Sequence, residues 1–246
     1  MLLNSKKAPN NKNHQAVIAE RIAAYDDWVK NLRIALAIKN IVEVVRVVNA
    51  YMDYAKTYEF EVGSIYKTHT KYYSSILEEL PVHIVEDVLK SHLFSSPHLT
   101  NDFYLGCYNC VVRVGAAANG EFFQEFKMID FAIALKKTFI DKELYVPLLG
   151  LEVKKYLDKT MANTVEHTRR VLSDFRPKTY YGFLAEDEAR AKDVVANSAM
   201  YNREFILTTA GRQPEGFRNL IGVSQMENLV KTLQTAAIAA VDSTVI

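Results

Sequence analysis

The chain has 246 residues, 49% of them hydrophobic, enough to bury a core in one globular domain with an added subdomain, or in two small domains. Its formal net charge of +1 is far from the strongly basic balance that by itself marks a nucleic-acid partner. No run of about 18 apolar residues is present to span a membrane, and Cys107 and Cys110, a lone C-x-x-C, lack the further ligands a zinc site needs.

Met1 to His14 is polar, carries Lys6, Lys7 and Lys12 without an acid, and has no apolar signal region. It reads as a disordered basic arm over 1–14, with a cytoplasmic location by default. Ile18, Ile22, Tyr25, Val29, Leu32 and Leu36 then recur in steps of three and four, predicting an amphipathic helix. Ile41, Val44, Val48, Tyr51, Ala55 and Tyr58 predict a second. A third, around Tyr72 to Leu80, is expected to stop at Pro81, and a fourth to run from Val82 to Leu93. Residues 15–98 therefore read as a helical subdomain, closed by the turn-forming stretch Ser95 to Asp102.

From 99 to 246 the texture changes. Phe103 to Val114, Met128 to Leu135, Leu144 to Tyr156, Thr179 to Ala185 and Glu204 to Thr209 have strand length. Met161, Val165, Thr168, Leu172 and Phe175 mark a helix that ends before Pro177. A last helix follows Ser224, where Ser224 and Glu227 have capping-box spacing and Leu229, Val230, Leu233, Ala236, Ala237 and Ala240 form a buried face. This order of strands and helices predicts an α/β (α+β) fold with a mixed sheet. In a strand, Cys107 and Cys110 point to opposite faces and read as two unrelated thiols.

Two strands carry the chemistry. Met128 to Leu135 contains Asp130, and Val146 to Leu157 contains Glu152-Val153-Lys154. Glu152 and Lys154, two apart, share one strand face. Charges in an apolar strand are costly unless compensated. The 22 residues from Asp130 to Glu152 leave room for one hairpin, through Lys136 to Glu143, so adjacent strands could bring all three groups together. Two carboxylates are hard oxygen ligands suited to Mg²⁺, which keeps several waters and binds phosphate. A neighbouring lysine can hold or deprotonate a water and stabilise phosphate oxygens. Asp130 and Glu152 are thus candidate metal ligands, with the Val153 carbonyl a third, and Lys154 is the candidate water-positioning or transition-state-stabilising group. A buried strand salt bridge of Asp130 and Glu152 with Lys154 or Lys127 is the bland alternative.

Asp130, then twenty-one residues, then Glu152-x-Lys154, resembles the PD-(D/E)XK nuclease superfamily. The run Glu152-Val153-Lys154-Lys155-Tyr156-Leu157-Asp158-Lys159-Thr160-Met161 resembles the catalytic strand and following helix of the restriction-endonuclease group that includes BbvCI and DdeI. The resemblance covers about Met128 to Glu186. It implies a restriction-endonuclease-like core over 99–246 and a type II restriction endonuclease that hydrolyses double-stranded DNA with Mg²⁺ at a short, CTNAG-like site. It also implies a homodimer or a heteromer with a related subunit, and a cognate methyltransferase. Asp130, Glu152 and Lys154 would be catalytic, and Lys159 would lie at the site edge, on a DNA phosphate. The pattern departs at Ile129, where the superfamily has proline.

Asn163, His167 and Arg170 line the polar face of the helix after Lys159; a solvated face explains them, and a DNA-facing surface is the functional reading. Arg203, Arg212 and Arg218, near Asn202 and Gln213, have the chemistry to read base edges. Glu186 is a candidate accessory ligand, and Tyr180 and Tyr181 read as sheet residues. Gly115 to Gly120 begins like a P-loop, but Glu121 stands where lysine is required. Two further readings stay open: a nuclease of the same fold without strict specificity, in repair or mobile-element defence, and a DNA- or protein-binding α/β protein that cuts nothing.

Overall fold

The computed structural model describes residues 12–62, 70–96, 103–116, 121–139, 142–157, 159–188, 204–208 and 219–244. They fall into two compact units, Met1–Lys67 and Thr68–Ile246. Of the expected basic arm, residues 1–11 lie outside the described part, and Lys12 already opens the first helix.

The first unit is a pair of packed helices, α1 (Lys12–Ala37) and α2 (Ile41–Val62). Lys39 makes the turn between them with φ of 54°. Its N–H bonds to Leu36 O at 3.1 Å and the Asn40 N–H to Ala35 O at 3.0 Å, the paired bonds of a Schellman stop. Asn40 then caps α2, its Oδ1 accepting the Glu43 N–H at 3.1 Å. Trp28, Leu32 and Ala35 of α1 and Val44, Val48, Tyr51, Met52 and Ala55 of α2 are buried. The Trp28 ring stacks on Tyr51 with centroids 4.7 Å apart.

The second unit holds α3 (Thr70–Ser95), five strands and two more helices. The strands are β1 (Phe103–Ala116), β2 (Phe122–Phe139), β3 (Lys142–Leu157), β4 (Tyr180–Glu188) and β5 (Glu204–Ile206). α4 (Lys159–Phe175) connects β3 to β4, and α5 (Val223–Asp242) follows β5. The sheet order is β1-β2-β3-β4-β5, antiparallel from β1 to β3 and parallel from β3 to β5. The expected mixed-sheet α+β class is the one observed. No helix among the described residues is long and apolar enough to cross a membrane.

Three expectations are corrected. Pro81 lies inside α3 instead of ending a helix, so the two expected helices are one. Proline removes one backbone donor, and the burial of Leu77, Leu80, Ile84 and Val85 around it outweighs that loss. Because α3 packs on the sheet strands and α5, it belongs with the sheet, and the division falls at 67/68 rather than near 98. The Ser224–Glu227 capping box does not form. Gly222 is the N-cap, without a side-chain cap bond, and its N–H bonds to Leu207 O at 2.9 Å, tying the helix start to the end of β5.

One sheet face is covered by α4, where Val165 and Leu172 pack on Ile129, Ala132, Ala134, Tyr181, Phe183 and Ala185. The alternate set, Phe131, Ile133, Leu149, Leu151 and Leu184, is buried on the side of α3 and α5. Pro147, which has no N–H for a ladder, sits at a register shift, where Ile133 pairs with Leu149 and Ala134 with Pro147.

Candidate active site

The site forms where two strands part. The β2–β3 ladder ends at the pair Phe131–Leu151. Beyond it β2 stays with β1, through Ile129–Tyr108 and onward, while β3 stays with β4, through Lys154–Ala185 to Leu157–Glu188. At the fork the Val153 N–H donates to Asp130 Oδ2 at 2.8 Å, so the carboxylate takes the place of a ladder carbonyl.

A bulge in β2 aims that carboxylate. Gly106 pairs with Ala132 and Tyr108 with Ile129, so Cys107 alone faces Asp130 and Phe131. The extra residue reverses the in-out alternation, which is why Ile129 and Ala132 both join the core under α4. Gly106, opposite, has φ of +132°, a conformation that side-chain-bearing residues rarely adopt.

Asp130, Glu152 and Lys154 come together as the strand spacing predicted. Lys154 Nζ donates to Asp130 Oδ2 at 2.7 Å and lies 3.6 Å from Glu152 Oε2. Burial alone would lower the Lys154 pKa, but the bond and charge of Asp130, with the charge of Glu152, hold it above the ordinary lysine value. The Lys154 side chain is 36% exposed, that of Glu152 only 8%, so the lysine is the group of this pair that solvent or a substrate can reach.

Behind Glu152 is a second cluster. Lys127 Nζ sits 2.7 Å from Glu152 Oε1, and Tyr181 OH donates to the same oxygen at 2.5 Å. Lys127 also donates to Thr168 Oγ1 at 2.6 Å and Tyr181 OH at 3.2 Å, while Thr168 passes its own proton to Thr164 O at 3.1 Å. Burial pushes the Glu152 pKa up, yet the bonds from Lys127 and Tyr181 prevail and hold it below the usual carboxylate value. Burial and the Glu152 charge push the Tyr181 phenol well above its ordinary value, so it stays a donor. Gly150 makes room for this ring: a Cβ there would meet Tyr181 Cδ2 at 2.9 Å and Ile129 Cγ2 at 3.2 Å. Sequence reasoning named Lys127 only as a salt-bridge partner and missed Tyr181 and Thr168.

Among the described residues no cluster of three or more His, Cys, Asp or Glu could hold a metal. The fork offers two carboxylates, and Asp130 Oδ2 and Glu152 Oε2 both point at one cation, the Lys154 ammonium. Two hard oxygen donors fit Mg²⁺, which completes its shell with water and substrate phosphate. Glu186 is not part of this set. It follows Ala185, which lies in the core under α4 with Tyr181 and Phe183, so Glu186 points to the opposite sheet face from Glu152.

Lys159 opens α4 two residues beyond the end of β3. Asn163 and His167 are exposed on α4, and Arg170 is exposed and bonded to Glu166 Oε1 at 2.9 Å. Arg203, Arg212, Arg218, Asn202 and Gln213 lie outside the described residues. Cys107 is exposed and Cys110 buried, both free, as two unrelated strand thiols would be.

No family model matches the chain, and no curated protein matches it by sequence. Among solved structures, the fold is similar to that of a chain from a low-resolution structure of the native BbvCI A2B2 tetramer. The TM-score is 0.69, with 98% of this chain and 94% of that chain covered at 15% identity. The mixed-sheet core with N-terminal helices thus shares the fold of that BbvCI chain.

Proposed function

We propose that the protein is a Mg²⁺-dependent endonuclease that hydrolyses double-stranded DNA at a specific short site, as type II restriction endonucleases do. The observation that carries this reading is the convergence of Asp130, Glu152 and Lys154 at the fork between β2 and β3. The nuclease-like fold supports it.

Asp130 and Glu152, with the Val153 carbonyl, would hold the magnesium ion, which neutralises charge developing on phosphate and acidifies a bound water. The Val153 N–H fixes the Asp130 carboxylate, and Lys127 and Tyr181 fix that of Glu152, so both ligands are oriented before substrate arrives. Lys154 spends one donor on Asp130. An ammonium has three, and the others can hold the attacking water or an oxygen of the scissile phosphate. Lys159, Asn163 and Arg170 of α4 are our choices for backbone contacts, and Arg203 and Arg212 for further DNA contacts.

One such site cuts one strand, so cutting both strands calls for two chains. BbvCI assembles as an A2B2 tetramer, and we extend an arrangement of two related sites, as homodimer or heteromer, to this chain. A CTNAG-like target and a cognate methyltransferase complete the proposal.

The test is plasmid DNA with Mg²⁺, wild type beside Asp130→Ala and Lys154→Ala. Discrete fragments that disappear in both variants support the proposal. A smear that disappears in both points to a nuclease of this fold without strict specificity. Cutting that survives Asp130→Ala unchanged overturns the site.

A further inference from the structure

Two lysines face two carboxylates at the fork, and they are bonded differently. Lys127 uses all three of its ammonium donors, on Glu152 Oε1 at 2.7 Å, Thr168 Oγ1 at 2.6 Å and Tyr181 OH at 3.2 Å. Each hydroxyl sends its proton onward, Tyr181 to Glu152 and Thr168 to Thr164 O, so every proton in the cluster has one place. Lys127 comes from β2, Thr168 from α4, and Glu152 and Tyr181 from β3 and β4. To release Lys127 would strand Glu152 with one strong partner fewer at a largely buried position.

The formal charges of Asp130, Glu152, Lys154 and Lys127 then cancel. A divalent cation that enters this group meets two ammonium groups as well as two carboxylates. Lys154 has donors to spare and can move toward a substrate oxygen; Lys127 has none and stays.

We infer that Lys127 is a built-in counter-cation and positioning residue of Glu152, which keeps metal loading of the free protein weak and makes it depend on the negative charge that a DNA phosphate brings. The inference rests on the reading of Asp130 and Glu152 as metal ligands. Metal and DNA then favour each other's binding, because coupling between two bound species is reciprocal.

The experiment is calorimetric titration of the full chain with Ca²⁺ and with Mg²⁺, alone and with plasmid DNA present. The free wild type is expected to bind weakly, with a Kd of about 1 mM, and more tightly with DNA. Lys127→Gln removes the charge but keeps a donor for Glu152, and Lys127→Met removes both. Removal of one close positive charge should tighten metal binding by the free protein about tenfold and shrink the gain from DNA. Lys127→Arg keeps the charge and should stay within about twofold of wild type. Tyr181→Phe removes a bond without changing charge and should not tighten binding. Micromolar binding by the free wild type overturns the inference, a result that needs no variant to fold. So does unchanged or weaker binding in a folded Lys127→Gln or Lys127→Met. Plasmid cleavage by the same preparations separates the two claims: loss of cutting in Asp130→Ala upholds the nuclease reading whatever Lys127 does. Tighter metal binding by Lys127→Gln in a protein that never cuts would uphold the counter-cation alone.

Discussion

Lys127 and Lys154 reach the same carboxylate through different oxygens, Lys127 at Glu152 Oε1 and Lys154 at Oε2. Behind Glu152, Lys127 is tied to three partners on three elements, and the phenol of Tyr181 is buried beside it. In front, Lys154 is more exposed and bonds Asp130 alone at hydrogen-bonding distance. One lysine is held as part of the fold and the other is held where chemistry can use it. Charge and proximity to a carboxylate therefore do not separate the two lysines; the number of donors left over does.

The sharpest way to break that contrast is to remove the front. Asp130→Ala and Lys154→Ala should each reduce DNA cleavage by about 10²–10³-fold or more; because Asp130→Ala also takes away the acceptor of the Val153 N–H, far-UV circular dichroism checks that each variant keeps its fold. A Lys154→Ala protein that cuts at the wild-type rate would mean that the contrast has been drawn the wrong way round.

The rear can be disturbed through packing alone. In Gly150→Ala the new Cβ would lie 2.9 Å from the Tyr181 ring and 3.2 Å from Ile129. Overpacking of this kind costs about 1–3 kcal/mol, a fall in Tm of about 2–4 °C per kcal/mol at this chain length. Thermal melts check it, and a Tm equal to that of wild type would show that Tyr181 has slack to move. Tyr181→Phe should have a smaller effect, about 1 kcal/mol, because Lys127 and Lys154 still face Glu152.

The front of the site was legible in the sequence because strand geometry is local. Glu152 and Lys154, two apart, must share a face, and Asp130 precedes them by one hairpin whose ends carry the Lys136–Glu143 ion pair. The bulge that aims Asp130 was not legible, since it is a property of the pairing of β2 with Gly106 and Cys107 on another strand. Nor was the rear. Lys127 meets Thr168 across 41 residues and Tyr181 across 54, and nothing in the local pattern of any one element records that meeting. Pro81 misled for the opposite reason: its local signal is strong, but burial of the surrounding α3 side chains overrode it.

The smallest predicted effect concerns how α4 holds Thr168 against Lys127. Two residues before Thr168, Glu166 accepts bonds from Arg169 at 2.8 Å and Arg170 at 2.9 Å. The Arg169 bond, opposed by partial burial and helped by Arg170, holds the Glu166 carboxyl at about 2, against an ordinary value of 4.5. A carboxylate depressed by folding contributes stability that is fully present above 4.5 and is lost as the pH falls through about 2. Arg170 is 67% exposed, so solvent screening keeps the contribution to about 1 kcal/mol or less. Glu166→Gln should therefore lower Tm by a few degrees at pH 7, and the gap to wild type should close between pH 4.5 and 2. A gap that stays constant down to pH 2 would mean that Glu166 supports α4 through packing rather than charge, and the anchorage of Thr168 would then owe nothing to the two arginines.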